Sequence, residues 1–549
     1  MININELLKK QELYWNESKK QQVMDKESIW YGGYNFVNET VMSRAITQGL
    51  CLYCEKDSPL YKDEDVLLRM KLNSEYLLKF QNKSGLISLL NCNIDSPPDT
   101  AFWVNDLAIA HFYIEKSGMQ ELKEIDDNIL KFLDRTQAPL ITGGFHTPNH
   151  RWVITCALGF LYRIFKNEDL RKRANDYLAE GIDINTDGEW TERSNSVYNA
   201  VSDLYMYHIG ESFGLDEAFD AVRKNLDMMK YLLHPNDYIA TEYSTRQDKG
   251  VAARMDARYT ISYMLMAKRD NNPQYVYMAE KAIKNAANFG LFLMYARLYE
   301  DVFFTDIKPE PISNKYIKLI NEGSVTEVPK AKSKFGDSVL RYRDDDLSIT
   351  VMAGQPDFLF FQNGNARIFG IRFTFGWFGM GGVSFPTVEK INDKTYRMST
   401  KVMGKYWQVL PGDVAGKYNG NFNAMPNNSR EDINKVYFDT ECIITLCDDG
   451  IELDLSADCE YFLFTQLVCM LDADGSLECD NSTKMNAYVT RLDSGSAVYT
   501  NNGSVIEVEG NGAEHDLDII RGDNLNRDAK NLVLNWVNPK HKKVIIKCK

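Results

Sequence analysis

The chain has 549 residues, 44% of them hydrophobic and 26% charged, a composition typical of a soluble globular enzyme with two or three domains. Its formal net charge of −14 argues against non-specific binding to nucleic acid and against binding to an anionic membrane surface. This charge does not exclude an anionic small substrate, because a local basic pocket can outweigh the global field.

The N-terminus forms no long apolar segment, and the chain holds no run of about 18 apolar residues, so we expect neither a signal peptide nor a transmembrane helix. Ten cysteines are scattered without a repeating framework. Cys51 and Cys54 form a lone CxxC pair on an apolar helical stretch, which favours buried core thiols over a zinc or redox site. These features predict reduced thiols and a cytoplasmic location.

Residues 1–305 are predicted to form a helical domain, because apolar residues recur there at three- and four-residue spacing. Brief connections that contain Gly, Pro or Asn separate the helices, a pattern typical of stacked helical hairpins in an incomplete α/α toroid. The predicted helices cover residues 41–52, 66–80, 102–114, 125–133, 153–164, 197–207, 218–233, 259–266 and 275–289.

The composition changes after residue 305, and prolines punctuate a predicted linker of residues 306–334. Beyond it the hydrophobic period changes to two, which predicts an antiparallel β-sandwich of two packed sheets over residues 335–549. The expected fold class is therefore a multidomain α+β chain, with an N-terminal toroid and a C-terminal sandwich. The predicted strands cover residues 338–343, 347–352, 442–446, 451–455, 487–492, 497–500, 504–508 and 544–547.

A stretch rich in glycine and aromatic residues, 369–382, lies between the predicted hairpins. It is compatible with a buried, twisted strand that contains bulges, and also with a loop that presents its rings to a sugar. We favour the buried strand.

The most informative stretch is residues 142–152, where two glycines precede a predicted helix start. Thr147 is the expected N-cap and Pro148 the first helical residue, which places Asn149 and His150 in the first turn. Free backbone N–H groups and the positive end of the helix dipole make this turn a natural seat for an anion. We therefore predict that it forms the floor of an active site.

A second informative stretch is residues 187–198, which opens with an Asp-Gly turn. Ser194 or Ser196 can cap the helix that follows, and Tyr198 then falls in its first or second turn. Two consecutive helical hairpins would bring this turn next to the turn that holds Asn149.

Amide, imidazole, guanidinium and phenol groups at one site suit proton abstraction next to a carboxylate. The C5 proton of a uronic acid is barely acidic, because its removal adds negative charge beside the carboxylate. Donors that neutralise the carboxylate stabilise the enolate-like transition state. A tyrosinate or a neutral histidine can take the proton, and a tyrosine hydroxyl can return one to the leaving oxygen at C4.

With these motifs the chain resembles the heparinase II/III-like polysaccharide lyases, which include heparin, alginate and related uronate lyases. The resemblance is carried by residues 149–152, the Asp-Gly turn, residues 192–194 and Tyr198, and the domain order extends it over nearly the whole chain. It implies β-elimination without a nucleotide or organic cofactor. It also implies that Asn149 and His150 neutralise the uronate carboxylate and that Tyr198 acts as acid and base.

One departure from this family concerns the β domain, from which many relatives add a histidine to the cleft. In this sequence His234 is followed by no histidine before His515. The gap also weakens any case for a metal site in the β domain. The candidate substitutes from the β domain are Tyr396, Tyr406, Arg367 and Arg372.

Further polar and aromatic residues in or near these motifs are predicted to bind the substrate, since a uronate binder needs guanidinium forks and polar rims. His146 and His150 have a metal-like spacing, but the intervening Pro148 and the missing HExxH glutamate argue against a metal. The predicted substrate-binding residues are Asp99, His146, Arg151, Trp152, Glu192, Arg193, Tyr243 and Arg246.

Two alternative functions stay open at this point. One is a glycoside hydrolase that uses paired carboxylates, with Asp99, Asp187, Glu189 and Glu192 as candidates. The other is a glycan-binding protein without catalysis. The predicted partner is a uronate-containing oligo- or polysaccharide, and we expect binding to neither nucleic acid nor a membrane. The sequence leaves open whether the protein is a homo-oligomer.

Overall fold

The structure is a computed structural model that describes residues 2–34, 43–303, 305–325 and 337–549. The chain divides into two compact units, one of Met1–Leu233 with Asp237–Ser313 and one of His234–Asn236 with Asn314–Lys549. We refer to these as the helical unit and the β unit. Residues 41–42 of the first predicted helix and residues 326–334 of the predicted linker lie outside the described residues.

The helical unit is built from α-helices, with one small hairpin of strands β1 (Ile87–Leu89) and β2 (Asn93–Ser96). Two of the connections between its helices are long, residues 179–197 and residues 230–256. Within the described residues its helices are α1 (Ile4–Ser18), α2 (Arg44–Cys54), α3 (Glu64–Phe80), α4 (Pro97–Ser117), α5 (Lys123–Thr142), α6 (Pro148–Phe165), α7 (Glu168–Leu178), α8 (Tyr198–Phe213), α9 (Asp216–Met229), α10 (Ala257–Asp270), α11 (Pro273–Asn285), α12 (Gly290–Leu298) and α13 (Glu300–Phe303).

Each predicted helix overlaps a helix of the structure, and the predicted class of the N-terminal half is confirmed. The helices without a predicted counterpart are α1, α7, α12 and α13. Helices α1 and α7 were missed because each buries only a narrow apolar stripe on an otherwise polar segment. In α7 the buried residues are Leu170, Ala174 and Tyr177. Such a stripe gives a weak periodic signal in the sequence.

The β unit contains one curled, mostly antiparallel sheet, together with the short helix α14 (Gly412–Ala415). Its strands in the described residues are β3 (Lys315–Ile320), β4 (Val339–Asp344), β5 (Leu347–Met352), β6 (Asp357–Asn363), β7 (Ala366–Phe375), β8 (Gly381–Gly382), β9 (Glu389–Lys390), β10 (Thr395–Trp407), β11 (Asp432–Leu446), β12 (Gly450–Asp458), β13 (Phe464–Leu471), β14 (Ser476–Lys484), β15 (Val489–Asn501), β16 (Ser504–Asn511), β17 (Lys530–Val537) and β18 (Lys542–Cys548).

Hydrogen bonds connect these strands in the order β3-β4-β5-β6-β7-β13-β17-β15-β16-β18-β12-β11-β10-β9, and β8 and β14 pair with β7 and β15. Although β7 and β11 are far apart in this order, the rings of Phe375 and Phe438 lie 4.8 Å apart between centroids. The sheet therefore curls over itself and encloses an apolar core that includes Ile371, Leu453 and Trp536.

The β unit confirms the predicted β class and refines two details. A single hydrogen-bonded path curls into the layers that the sequence predicted as two separate sheets. Strand β3 lies inside the segment predicted as a linker and pairs with β4 at one end of the path. The favoured interpretation of residues 369–382 is confirmed for their first half, which belongs to the central strand β7.

Within the described residues, none of the helices has both the length and the apolar character that spanning a membrane requires.

Two glycines with positive φ offer a matched test of close packing. Gly188 has a φ of +92°, and a Cβ at this position would lie 2.1 Å from the carbonyl oxygen of Lys224, whereas Gly181 has a φ of +84° and open space around it. We expect Gly181→Ala to lower the free energy of unfolding by about 1 kcal/mol through backbone strain alone. Gly188→Ala adds a backbone clash and should cost about 3 kcal/mol.

Chemical denaturation of the two variants beside the unmodified protein measures both costs. Equal losses in the two variants would contradict the close approach of Gly188 to helix α9.

Candidate active site

Helix α6 begins at Pro148 with Thr147 as N-cap, as the sequence predicts. Asn149 in its first turn is buried, and its backbone N–H and its side-chain Nδ2 both donate to Oε2 of Glu192, at 3.1 and 2.5 Å. The anion that this helix start binds is therefore the protein's own Glu192 carboxylate. Such a charge is favourable at a helix N-terminus, where free N–H groups and the dipole meet.

The side chain of Asn149 is largely fixed by these contacts. Its Nδ2 makes a second, longer hydrogen bond of 3.2 Å to Oγ1 of Thr147. Its Oδ1 is buried, and no donor from the described residues reaches it. A buried acceptor without a partner is costly, so this oxygen is a point where a ligand could donate a hydrogen bond.

Glu192 also joins this helix start to a second segment of the chain. Its Oε1 lies 3.1 Å from Nε of Arg246, and the Arg246 side chain is 37% exposed while that of Glu192 is 5% exposed. The guanidinium of Arg246 lies over the ring of Tyr198, 5.6 Å from its centroid. One buried carboxylate thus links Asn149 to an arginine that packs on Tyr198.

Tyr198 is the first residue of helix α8, within the turns where the sequence places it. The N-cap is Val197 instead of the predicted Ser194 or Ser196, although Oγ of Ser194 accepts a hydrogen bond from the backbone N–H of Tyr198. Nε2 of Gln247 donates to its phenol oxygen at 2.7 Å. The structure therefore brings residues 149, 192, 198 and 246 together. Sequence reasoning missed Gln247, although it named Tyr243 and Arg246 from the same connection between α9 and α10.

Asp248 is a second residue that sequence reasoning missed, and it anchors that connection. Its buried carboxylate accepts hydrogen bonds from the hydroxyl groups of Ser194, Ser196 and Ser244 and from the backbone N–H of Ser196, at 3.0 to 3.2 Å. The only signal available in the sequence was the short polar stretch itself, which does not reveal its partners 52 and 54 residues away.

His150 lies in a mostly buried position beside two rings. Its ring packs edge-on against His146, with 4.7 Å between centroids, and against Phe102 at 6.4 Å. Burial lowers the pKa of His150 to about 4, with a smaller lowering by His146 and Arg246 that the Asp99 carboxylate opposes. The imidazole is therefore neutral near pH 7 and can donate or accept a hydrogen bond without carrying charge.

Asp99 is buried in the first turn of α4, where its Oδ2 accepts from Asn93 at 2.8 Å and from Ser96 at 2.5 Å. These contacts hold the Asp99 carboxylate close enough to His150 to raise the pKa of the imidazole, against the larger lowering by burial. Its predicted role in substrate binding stays a prediction.

Arg151 and Trp152 have partners that compensate their polar groups. The guanidinium of Arg151 pairs with Glu180 and Asp183, each at 3.1 Å, and the indole N–H of Trp152 donates to the same Asp183 at 2.8 Å. Trp152 is also buried. The roles predicted for them stay predictions, and the structure shows instead how the two residues tie α6 to the segment after α7.

The other predicted binding residues differ in exposure. Arg193 and Tyr243 are buried, and burial raises the pKa of the Tyr243 phenol well above its ordinary value. His146 is exposed beside His150. Among the described residues, no group of three or more His, Cys, Asp or Glu side chains is arranged to hold a metal ion.

The candidate substitutes for the missing β-domain histidine all lie in the β unit. Arg367 pairs with Asp472 at 2.8 Å. Arg372 pairs with Asp357 at 2.7 Å and also with Asp523, so its charge is compensated within that unit. Tyr396 is buried and Tyr406 is 62% exposed.

A search of solved structures relates this fold to known enzymes. The chain is similar to heparinase III over 95% of this chain and 78% of that one, with a TM-score of 0.54 at 10% identity. It is also similar to a Paenibacillus xanthan lyase over 98% of this chain and 56% of that one, with a TM-score of 0.55 at 9% identity. At such low identity the likeness establishes a shared fold.

Comparison of the sequence with protein-family models and with curated proteins finds no match.

The lowered pKa of His150 predicts a pH dependence of stability. The pKa of about 4 in the folded protein lies below the ordinary value of 6.5, so between these values the unfolded chain binds a proton that the folded protein does not. The stabilisation is fully present above pH 6.5 and is lost as the pH falls toward 4.

We expect the unmodified protein to lose about 2 kcal/mol more free energy of unfolding than His150→Gln between about pH 7 and about pH 4.5. Urea unfolding of both proteins at the two pH values measures the difference, and the remaining histidines cancel in the comparison. The same pH sensitivity in both proteins would show that His150 is not held neutral by burial.

Proposed function

We propose that this protein is a polysaccharide lyase that cleaves a uronic-acid-containing glycan by β-elimination. The observation that carries the proposal is the cluster in which Glu192 bridges Asn149 and Arg246, with Arg246 packed on Tyr198. The fold that the chain shares with heparinase III and with xanthan lyase supports the same class of reaction.

The cluster supplies the charge that a uronate requires. Glu192 contacts Arg246 at Nε, and the Arg246 side chain is 37% exposed. A substrate carboxylate can therefore reach the guanidinium from the exposed side. Guanidinium groups bind carboxylates in a fixed fork geometry. Positive charge near the carboxylate stabilises the enolate-like transition state that forms when the C5 proton leaves.

Asn149 and His150 are proposed to complete the carboxylate site. To donate to a substrate oxygen, Nδ2 of Asn149 would exchange its longer hydrogen bond of 3.2 Å to Thr147 for one to the substrate. His150 is neutral near pH 7 because burial lowers its pKa to about 4, so it contributes a hydrogen bond rather than a full charge. A carboxylate bound beside it favours the protonated imidazole, which would strengthen this contact.

Tyr198 is proposed to move the protons. As a phenolate it takes the proton from C5, and the electron pair of the C–H bond forms the enolate. The enolate then forms the C4–C5 double bond and expels the C4 oxygen with its bonding electrons. That oxygen takes the proton from Tyr198, which restores the phenolate, so the products are an unsaturated uronate and a free hydroxyl.

Removal of the phenol oxygen tests this role. We expect Tyr198→Phe to lower kcat by about 10²- to 10⁴-fold, because a placed acid and base is lost while the ring stays. The measurement is the ultraviolet absorbance of the new double bond, followed on a panel of uronate glycans.

The matched control is Tyr162→Phe, which removes an exposed phenol on α6 that bonds to Glu168. It should keep the activity of the unmodified protein. Full activity in Tyr198→Phe would overturn the assignment of Tyr198, and saturated products would indicate hydrolysis instead of elimination.

Neutralising the bridging carboxylate tests the cluster. Glu192→Gln removes the charge that holds Arg246 and keeps the size of the side chain, so we expect kcat/KM to fall by about 10- to 100-fold. The control is Glu180→Gln. Glu180 forms an ion pair of the same length, 3.1 Å, with Arg151, but its side chain is 52% exposed. Equal activity of the two variants on the same substrates would remove Glu192 from the proposed site.

A further inference from the structure

We infer that Gln247 is a positioning residue for Tyr198, and that the buried carboxylate of Asp248 fixes Gln247 for this task. The inference rests on the lyase function proposed above and assigns a role to a residue that makes no proton transfer of its own.

The contact between Gln247 and Tyr198 has a defined polarity. The amide Nε2 of Gln247 donates to the phenol oxygen at 2.7 Å, while the guanidinium of Arg246 covers the ring. A phenol oxygen has one hydrogen and two acceptor sites, so an amide in one acceptor position turns the hydrogen elsewhere. The hydroxyl hydrogen of Tyr198 is thereby left to a bound substrate.

Gln247 is exposed, yet its backbone is held on both sides. On one side, the backbone N–H of Thr245 donates to the carbonyl of Arg193 at 2.9 Å, and its hydroxyl donates to the carbonyl of Glu192 at 2.8 Å. On the other side, Asp248 is 3% exposed and binds the three serine hydroxyls that surround it. The segment that carries Gln247 is therefore attached to the turn that ends at Tyr198.

This arrangement serves the proton transfers proposed for Tyr198. A hydrogen bond to an ionised oxygen is stronger than one to a neutral oxygen, so the amide favours the phenolate that takes the C5 proton. When the phenol later gives that proton to the C4 oxygen, the amide again faces the developing negative charge. Gln247 exchanges no proton in either step.

Three substitutions of Gln247 distinguish the effect of its hydrogen-bond donor from the effect of its side-chain size. Gln247→Leu removes the donor, and we expect kcat to fall by about 3- to 10-fold with KM unchanged. Gln247→Glu replaces the donor by an acceptor of the same shape and opposes negative charge on the phenol, so its kcat should fall further. Gln247→Lys keeps a donor and should stay within about threefold of the unmodified protein.

Fluorine NMR of protein labelled with fluorotyrosine tests the contact without any assay of activity. The Tyr198 resonance is identified by its absence in Tyr198→Phe, and it should move in Gln247→Leu. The control is Gln137→Leu, because Gln137 donates to Asp134 at another part of the helical unit and its loss should leave the Tyr198 resonance in place.

The outcomes distinguish this inference from the proposed function. A Tyr198 resonance that does not move in Gln247→Leu overturns the inference, and so does equal kcat in the Leu, Glu and Lys variants. A resonance that moves in a protein that cleaves no uronate glycan rejects the lyase function, and the positioning role with it, while the contact itself stands.

Discussion

The structure of the site depends on one buried carboxylate. Glu192 accepts two hydrogen bonds from Asn149 at the start of α6 and pairs with Arg246 in the connection before α10. A carboxylate that is 5% exposed is stable only because it is paired and hydrogen-bonded, since an unpaired buried charge would cost several kcal/mol. The contacts that compensate the Glu192 charge also position the amide of Asn149 and the guanidinium of Arg246. Arg246 in turn packs on the ring of Tyr198.

In the proposed mechanism, the group that carries the positive charge is distinct from the group that transfers protons. Arg246 provides the permanent cation, because a guanidinium stays protonated in proteins. His150 next to it is kept neutral, since burial lowers its pKa to about 4. A neutral imidazole beside a cation avoids like-charge repulsion in the unliganded site. Asn149, Glu192 and Asp248 are buried, so the candidate site is assembled without a ligand. Such preorganisation would reduce the ordering that the proposed substrate must bring about on binding.

Local signals in the sequence predicted the starts of α6 and α8, because a Thr-Pro pair and a serine-rich turn act within one helical turn. The resemblance to heparinase II/III-like lyases, drawn from those residues, agrees with the fold shared with heparinase III. The partners of these residues were not predictable, because Glu192 meets Asn149 across 43 positions and no local pattern encodes that pairing. Adjacency in the sequence also did not reveal the separate partners of neighbouring residues. Successive helical side chains are turned by about 100°, and Arg151 pairs with Asp183 while Asn149 bonds to Glu192.

The residues of this cluster come from distant parts of the chain, with separations of 43 residues between Asn149 and Glu192 and 54 between Ser194 and Asp248. Helices such as α6 form from local contacts, whereas contacts of this separation form only after long loops have closed. A partly folded chain can therefore contain most of its helix and still lack the cluster. Turnover by this protein would therefore show that its tertiary structure is complete. Circular dichroism of the helices would not show this, because a compact intermediate contains nearly the same amount of helix as the folded protein.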